Sequence, residues 1–342
     1  MNSAQKAQFQ GMLDGQKGVG RSLSELMETN ETLKGAESQR LRSFFTSNSM
    51  EPGRDLDEYG HILAMGDLEA VKADFEERVA RHALLAAGSR AGPSTDAAAV
   101  PLTPEAAAAQ EIYALCWGPT LVPVYNLLGL LRIIFPEYGR EHLAIARFLI
   151  ETAKVPMDKG DLSGTRALSH AFSTKPAFDF EYAQLLYDAG GDVNHRNRYG
   201  GTVAHEIILI WTPKDLTVVA RSTQAFKWFL EHGGSVDIAD GDGMTVRHLA
   251  KRLASSIPSL NKLVAETDRK RKGLERTPNG CCGLCGRQDP DMRRCGRCKA
   301  TRYCDPSVRD CQKLDWPHHK KNCVKVMEPG DTYSFLGNKF TA

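Results

Sequence analysis

The chain has 342 residues, of which 42% are hydrophobic and 25% are charged, and its formal net charge is +2. This length allows two or three domains, and so small a charge excludes a chain that is broadly adapted to nucleic acid or to a membrane surface. The first residues lack the apolar run of a secretory signal. We therefore expect an intracellular protein, in the cytoplasm, the nucleus or both.

Composition divides the first part of the chain into three kinds of segment. Residues 1–50 are polar and are expected to be partly helical or disordered. Residues 86–110 are rich in Ala, Gly, Pro, Ser and Thr, which predicts a flexible insertion. Residues 121–135 form the most apolar stretch, but it is too short and too interrupted to cross a bilayer, so it predicts a buried helix.

Residues 161–171, 198–208 and 241–250 begin similarly, each approximating G-x-T-P-L-H-x-A. The ends of two repeats also resemble each other, namely "LLYDAGGDVN" (185–194) and "FLEHGGSVDI" (229–238). Nine residues separate Val193 from Thr202, and nine separate Val236 from Thr245. Together these segments resemble ankyrin repeats, and we assign residues 51–270 to an ankyrin-like domain.

The ankyrin resemblance implies a mostly α-helical solenoid, in which three or more repeats must stack to bury a core. It also implies that the loops and first helices form a surface for protein partners. The basic loop 194–199 and the acidic side chains of Asp237, Asp240 and Asp242 are candidate contacts, or else solvated turn residues. Residues 271–280 then form a basic linker.

Eight residues with metal-binding side chains lie within 42 residues: Cys282, Cys285, Cys295, Cys298, Cys304, Cys311, His319 and Cys323. Disulfides are disfavoured in a reducing compartment, whereas two Cys-x2-Cys pairs are typical of zinc sites. His319 and Cys323 are four residues apart and share one face of a helix, so His319 is preferred to His318. Spacing alone leaves both sequential and interleaved ligand sets open.

The run Tyr303-Cys304, the segment "CQKLDW" (311–316) and the spacing from His319 to Cys323 resemble a MYND-type zinc finger. We assign it to residues 281–323, followed by a tail at 324–342. The resemblance implies two zinc ions with interleaved ligands. One site would use Cys282, Cys285, Cys304 and Cys311, and the other Cys295, Cys298, His319 and Cys323. Six residues separate Cys304 from Cys311, where the family usually has three.

MYND fingers bind short proline-rich peptides, and the resemblance assigns that role to Gln312 and Trp316. Nucleic-acid binding by the finger is disfavoured, because zinc-bound thiolates offset most of the charge of its ten Lys and Arg residues. No catalytic residue is predicted: His205-Glu206 begins a zincin motif, but Leu209 stands where the second His belongs. The sequence therefore predicts a non-enzymatic adaptor or scaffold; the alternative is a transcriptional regulator that contacts DNA or chromatin complexes through the finger and linker.

Overall fold

The structure, a computed structural model, describes residues 20–88, 102–173, 178–209, 214–274, 292–299, 301–306, 311–321, 323–325, 332–335 and 338–341. The chain divides into two compact units. One is Phe45–Asp192, and the other combines Met1–Phe44 with Val193–Ala342. Among the described helices, none has both the length and the apolar character needed to traverse a bilayer.

Helices make up most of the described chain. They are α1 Leu23–Met27, α2 Gly35–Ser47, α3 Pro52–Asp55, α4 Glu58–Ala64, α5 Leu68–Gly88, α6 Pro104–Ala114, α7 Val124–Ile134, a 3₁₀ turn Pro136–Tyr138, α8 Gly139–Glu151, α9 Ala167–Ser173, α10 Phe180–Asp188, α11 Val203–Ile208, α12 Leu216–Glu231, α13 Val246–Arg252, α14 Pro258–Leu274 and α15 Cys311–His319. The strands are β1 Cys116–Trp117, β2 Val122–Pro123, β3 Arg293–Arg294, β4 Arg302–Tyr303, β5 Thr332–Phe335 and β6 Asn338–Thr341. They pair antiparallel as β1–β2, β3–β4 and β5–β6.

Helix α7 lies at the centre of the unit Phe45–Asp192. Its side chains Leu127, Leu128 and Leu131 are fully buried, as expected for the apolar stretch 121–135. The short β1–β2 ladder leads directly into this helix. From α10, the hydroxyl of Tyr182 donates a 2.6 Å hydrogen bond to the carbonyl oxygen of Tyr125. The core of this unit therefore contacts α7 in two ways, through its buried apolar side chains and through a hydrogen bond to one of its backbone carbonyl groups.

Three loops repeat one hydrogen-bond pattern, each just before the first of two helices that pack against each other. In each loop one Oδ1 atom accepts backbone N–H groups from two and four residues later, at 2.8 to 3.1 Å; the accepting residues are Asp161, Asn197 and Asp240. The pairs that follow are α9/α10, α11/α12 and α13/α14, a short helix and then a longer one. This recurrence confirms the predicted mostly helical, ankyrin-like repeats.

The buried His205 joins two neighbouring repeats. Its Nδ1 accepts the N–H of Thr202 at 3.0 Å, and its Nε2 lies 3.1 Å from the carbonyl oxygen of Met244 in the next loop. Both ring nitrogens are therefore used in packing one repeat against the next. The repeat register predicts this structural role for His205. Its contacts therefore explain why a histidine stands here without invoking a catalytic role.

Some predicted segments contain more regular structure than expected. Helix α6 occupies the end of the segment 86–110, while residues 89–101 lie outside the described residues. The reason is local: Thr103 accepts the N–H of Ala106, and Pro104 starts a run of alanines, the best helix formers. Helix α14 extends to Leu274 within the expected linker, and the β5–β6 ladder lies within the expected tail.

The N-terminal segment 22–42 packs on the repeat loops of its own unit. Arg198 and Tyr199 belong to the basic loop that the sequence offered as a partner surface, yet both are buried. Leu26, Leu33 and Leu41 of the segment are also buried. The expectation of an accessible or solvated loop is therefore wrong for these two residues, because the chain covers them itself.

Candidate metal centre

A tight turn positions the cysteines at 295 and 298. Strands β3 and β4 pair Arg293 with Tyr303 and lead into the turn. The N–H of Cys295 donates to the carbonyl oxygen of Thr301 at 2.8 Å, and the N–H of Lys299 donates back to the carbonyl oxygen of Cys295 at 2.9 Å. Lys299 takes a positive φ of 56° to close the turn. This geometry directs both cysteine side chains of the Cys-x2-Cys pair into the interior.

Helix α15 supplies the donors from the other side. Cys311, Asp315 and His319 recur every four residues and so lie along one face of this helix. The expectation that His319 and Cys323 share one face of a helix is wrong, because His319 is the last residue of α15. The chain beyond the helix brings the buried Cys323 back four residues later. The helix and the chain beyond it therefore bring His319 and Cys323 to the cysteines of the turn.

The donor atoms of Cys295, Cys298, His319 and Cys323 all lie within 4.8 Å of one another. Cys295 Sγ is 3.7 Å from Cys323 Sγ, and His319 Nε2 is 3.3 Å from Cys295 Sγ and 3.5 Å from Cys298 Sγ. A tetrahedral zinc ion with bonds of about 2.3 Å to sulfur and about 2.0 Å to nitrogen separates its ligand atoms by about 3.5 to 3.8 Å. The four side chains therefore fit a single zinc ion.

The other four predicted donors are described only in part. Cys304 and Cys311 are both buried, and they join the cysteines at 295, 298 and 323 and Tyr303 in one small core. Cys282 and Cys285 lie outside the described residues. Among the residues that the structure describes, the cluster of four around His319 is the one group that could hold a metal ion.

Burial and neighbouring groups shift the pKa values of three of the four donors. Burial lowers the pKa of His319, which favours the neutral imidazole that a metal requires. Burial also raises the pKa of Cys295, but backbone N–H groups of Cys298 and Arg297 outweigh it and lower the pKa overall. Burial raises the pKa of Cys323 to about 12, with a further contribution from the charge of Cys298. In the absence of a cation these crowded thiols therefore resist ionising together.

A hydrogen bond between Tyr303 and Asp315 ties α15 to the β3–β4 ladder. The buried Tyr303 hydroxyl donates to Asp315 Oδ2 at 2.6 Å. The Tyr303 ring also meets the His319 ring edge-on, with 5.7 Å between centroids. This contact fixes the helix that carries His319. Sequence reasoning used Tyr303 only as part of a motif, although the recurrence of Asp315 four residues before His319 was a usable signal.

The two residues expected to bind peptide lie on the next face of α15. Gln312 and Trp316 are four residues apart, and each directly follows one of the inward residues at 311 and 315. Gln312 is half-buried, while Trp316 is 37% exposed. The Trp316 ring lies 5.9 Å from the His319 ring. An exposed indole is therefore held beside a candidate metal ligand.

The repeat loop 194–199 also contributes charge near this centre. Burial lowers the pKa of Arg196, while the charges of Cys298 and Cys323 oppose that shift. Arg196 donates hydrogen bonds of 3.0 Å to the carbonyl oxygens of Gly200 and Ala239. Sequence analysis marked this basic loop only as a candidate partner surface, because the position of Arg196 near the finger depends on how the repeats and the finger fold within one unit.

With this geometry established, comparison with known proteins identifies the segment. Residues 282–323 match the family model of the MYND finger. The resemblance predicted from the sequence is thereby confirmed, and MYND fingers are zinc-binding modules. A zinc-binding finger is thus combined with ankyrin-like repeats, and neither module is catalytic in itself.

Curated relatives match over the finger region alone. The mouse N-lysine methyltransferase SMYD2 is 38% identical over 53 residues, which is 16% of this chain and 12% of that protein. The mouse histone-lysine N-methyltransferase Smyd1 is 38% identical over 52 residues, 15% of this chain and 10% of the other. The chain thus spans about an eighth or less of the length of these relatives, and their names describe whole proteins that it does not resemble elsewhere.

Among solved structures, an ankyrin repeat domain from Acinetobacter baumannii aligns with 62% of this chain and 99% of its own. The TM-score is 0.37 and the sequence identity is 19%. A second ankyrin repeat protein covers 58% of this chain and 98% of its own, with a TM-score of 0.35 and 16% identity.

Proposed function

We propose that the protein is a non-enzymatic, intracellular adaptor or scaffold whose ankyrin-like repeats and MYND finger each bind a protein partner. The observation that carries this proposal is the closed donor set around His319. Three cysteines and one histidine would fill the tetrahedral shell of a zinc ion and leave no position for water or substrate. A metal held in this way stabilises a fold, and the finger then acts through its surface.

Two zinc ions per chain are part of this proposal. Cys295, Cys298, His319 and Cys323 would hold one ion, and their separations support that set. The second ion would use Cys282 and Cys285 together with Cys304 and Cys311. The burial of the latter two in one small core supports their role. Interleaving of the two sets would tie each end of the finger to its middle.

The finger would bind proline-rich peptides through Gln312 and Trp316. An exposed indole face can stack on a proline ring, and the pair lies on the face next to that of Cys311, Asp315 and His319. Because a zinc ion would fix His319, it would also fix the Trp316 ring beside it. The metal would thus prepare the binding surface without contacting the peptide.

Titration of the whole protein with fluorescent proline-rich peptides tests this function. We expect Trp316→Ala to weaken binding at least tenfold and Trp316→Phe to restore part of it, with zinc content unchanged. Leu216→Ala is a suitable control, because Leu216 is 80% exposed and lies outside the finger. Equal binding by wild type and Trp316→Ala would refute the assignment of the surface.

The second candidate is a transcriptional regulator that meets DNA or chromatin complexes. Exposed cations on the turn of the finger favour it, namely Arg294, Arg297 and Lys299. A mobility-shift assay over a range of salt separates the two functions. Binding that weakens steeply with salt and is lost on replacing these cations would support DNA contact, since phosphate binding releases counterions.

A further inference from the structure

The N-terminal segment 22–42 is bonded through its backbone to the repeat loop around Asn197. Arg198 is only 4% exposed. Its guanidinium donates to the carbonyl oxygen of Leu26 at 2.5 Å and to Thr29 Oγ1 at 3.0 Å. The N–H of Leu33 in turn donates to the carbonyl oxygen of Arg198 at 2.6 Å. The loop therefore binds the end of α1, where the Leu26 carbonyl oxygen also accepts from the hydroxyl of Thr29 at 3.1 Å, and the extended chain after it.

A second repeat loop completes this contact. The N–H of Gly35 donates to Asp242 Oδ1 at 3.0 Å. At Gly241 there is no room for a side chain, because a Cβ atom would lie 2.3 Å from the carbonyl oxygen of Leu33. Gly241 also donates its N–H to the carbonyl oxygen of Tyr199 at 2.7 Å, which joins the two loops. The segment thus lies directly against the backbone of both.

Helix α2 extends the contact onto the first helix of a repeat. The guanidinium carbon of Arg42 lies 3.9 Å from the centroid of the Tyr199 ring. Arg42 also forms a 3.6 Å ion pair with Glu206 on α11. The contact therefore covers loop ends and a first helix together, the two elements that ankyrin-like repeats offer to partners.

We propose that residues 22–42 act as an intramolecular ligand, which occupies the partner surface of the repeats and must be displaced before a partner can bind there. This inference rests on the proposed function, in that it takes the loops and first helices to be a binding surface. The groups that hold the segment are those with which a surface recognises a separate peptide. They are the guanidinium of Arg198 at the end of a helix, the backbone hydrogen bond from Leu33, and the close approach of Gly241 to the backbone of the segment.

Burial of the charged Arg198 opposes the closed state, although its hydrogen bonds favour it. Burial lowers the pKa of Arg198, which means that the closed state keeps this guanidinium partly out of water at a cost in free energy. A competing partner would present the same chemistry: a short helix, a carbonyl oxygen at its end and an extended, leucine-bearing continuation. Opening the segment would also return Arg198 to water.

The test uses the whole protein with a protease site inserted between Asn48 and Ser49. These residues lie between α2 and α3, so cleavage leaves the repeats intact. A fluorescent label on the N-terminal piece then reports its release, and excess unlabelled synthetic peptide 20–48 competes with it. We expect the labelled piece to exchange with the peptide, and to leave at least tenfold faster in Arg198→Leu.

Three variants make the result specific. Arg198→Lys should fall between wild type and Arg198→Leu, because it keeps the charge but loses the planar fork. Gly241→Ala should also release the piece faster. Lys251→Leu is the control, since Lys251 is exposed on α13, and it should behave as wild type. Amide exchange of α11 and α12 must match wild type before a release rate is compared.

Failure of this inference is distinguishable from failure of the proposed function, because release of the piece is measured without a partner. A piece that never exchanges with the peptide, or that leaves equally slowly in all variants, would overturn the inference and make the segment a permanent part of the fold. Titration of the same cleaved protein with proline-rich peptides would still report on the finger.

Discussion

Replacing Tyr303 by Phe removes one hydrogen bond from the finger and leaves its ring in place. The lost contact is the 2.6 Å bond from a fully buried hydroxyl to Asp315 Oδ2. Hydrogen bonds to a charged group contribute about 1.5–3 kcal/mol. Asp315 is only half-buried, so water can replace the hydroxyl, and we expect the lower end of that range.

This loss is expected to appear as weaker zinc binding. A module of this size cannot fold on apolar burial alone, so the free energy of metal binding is also the free energy of folding. A loss of about 1.5 kcal/mol corresponds to about tenfold in affinity. The Tyr303 ring still contacts the His319 ring in the variant, so the number of ions bound should not change.

Competition with a chromogenic zinc chelator measures this affinity in the whole chain. Tyr138→Phe is the matched control, because Tyr138 is half-buried and lies in the other unit, Phe45–Asp192. If Tyr303→Phe binds zinc as tightly as wild type, or if the control loses as much, the hydrogen bond does not stabilise the finger and the reasoning is refuted.

Three further predictions concern the metal, the N-terminal segment and the buried core of the repeats. Removing metal with a chelator should abolish the amide-exchange protection of residues 292–325 and leave α11 and α12 protected; simultaneous loss in all of them would contradict separate stabilisation. Hydrogen bonds from Arg21 hold the pKa of Glu37 at about 2, below its usual 4.5, so their contribution is present above pH 4.5 and lost as the pH falls towards 2. Amide exchange in residues 22–42, corrected for intrinsic rates, should therefore quicken between pH 5 and pH 2, and much less so in Glu37→Gln. Phe229→Ala should cost about 3–5 kcal/mol in urea unfolding, because Phe229 is fully buried, whereas the exposed Leu216→Ala should cost less than about 0.5 kcal/mol.

The grouping of Cys295, Cys298, His319 and Cys323 on one ion came from the resemblance to a MYND finger, because spacing alone left other ligand sets open. Cys323 lies beyond the end of α15, so a shared helix face does not explain its position. Spacing did predict the tight turn that carries Cys295 and Cys298, because that turn depends on local geometry. The repeat loops were predictable for a similar reason. Asn197 and Asp240 each cap their own loop through hydrogen bonds two and four residues away, so their pattern recurs in the sequence.

Long-range contacts could not be predicted in this way. The bond from Arg198 to Leu26 joins residues 172 apart in the sequence, and no periodic pattern in the polar N-terminal region indicates it. The burial of Tyr199 follows from the same packing. Helix α6 was missed for a different reason: the Ala-rich composition suggested flexibility, although Thr103 and Pro104 already marked a helix start.

Native mass spectrometry of the purified chain, with its bound metal retained, tests the central claim most directly. We predict two zinc ions per chain, and a single ion after Cys323→Ser or after Cys304→Ser, because each substitution opens a different site. One ion or none in the wild-type chain, or a mass showing these cysteines joined as disulfides, would contradict the account.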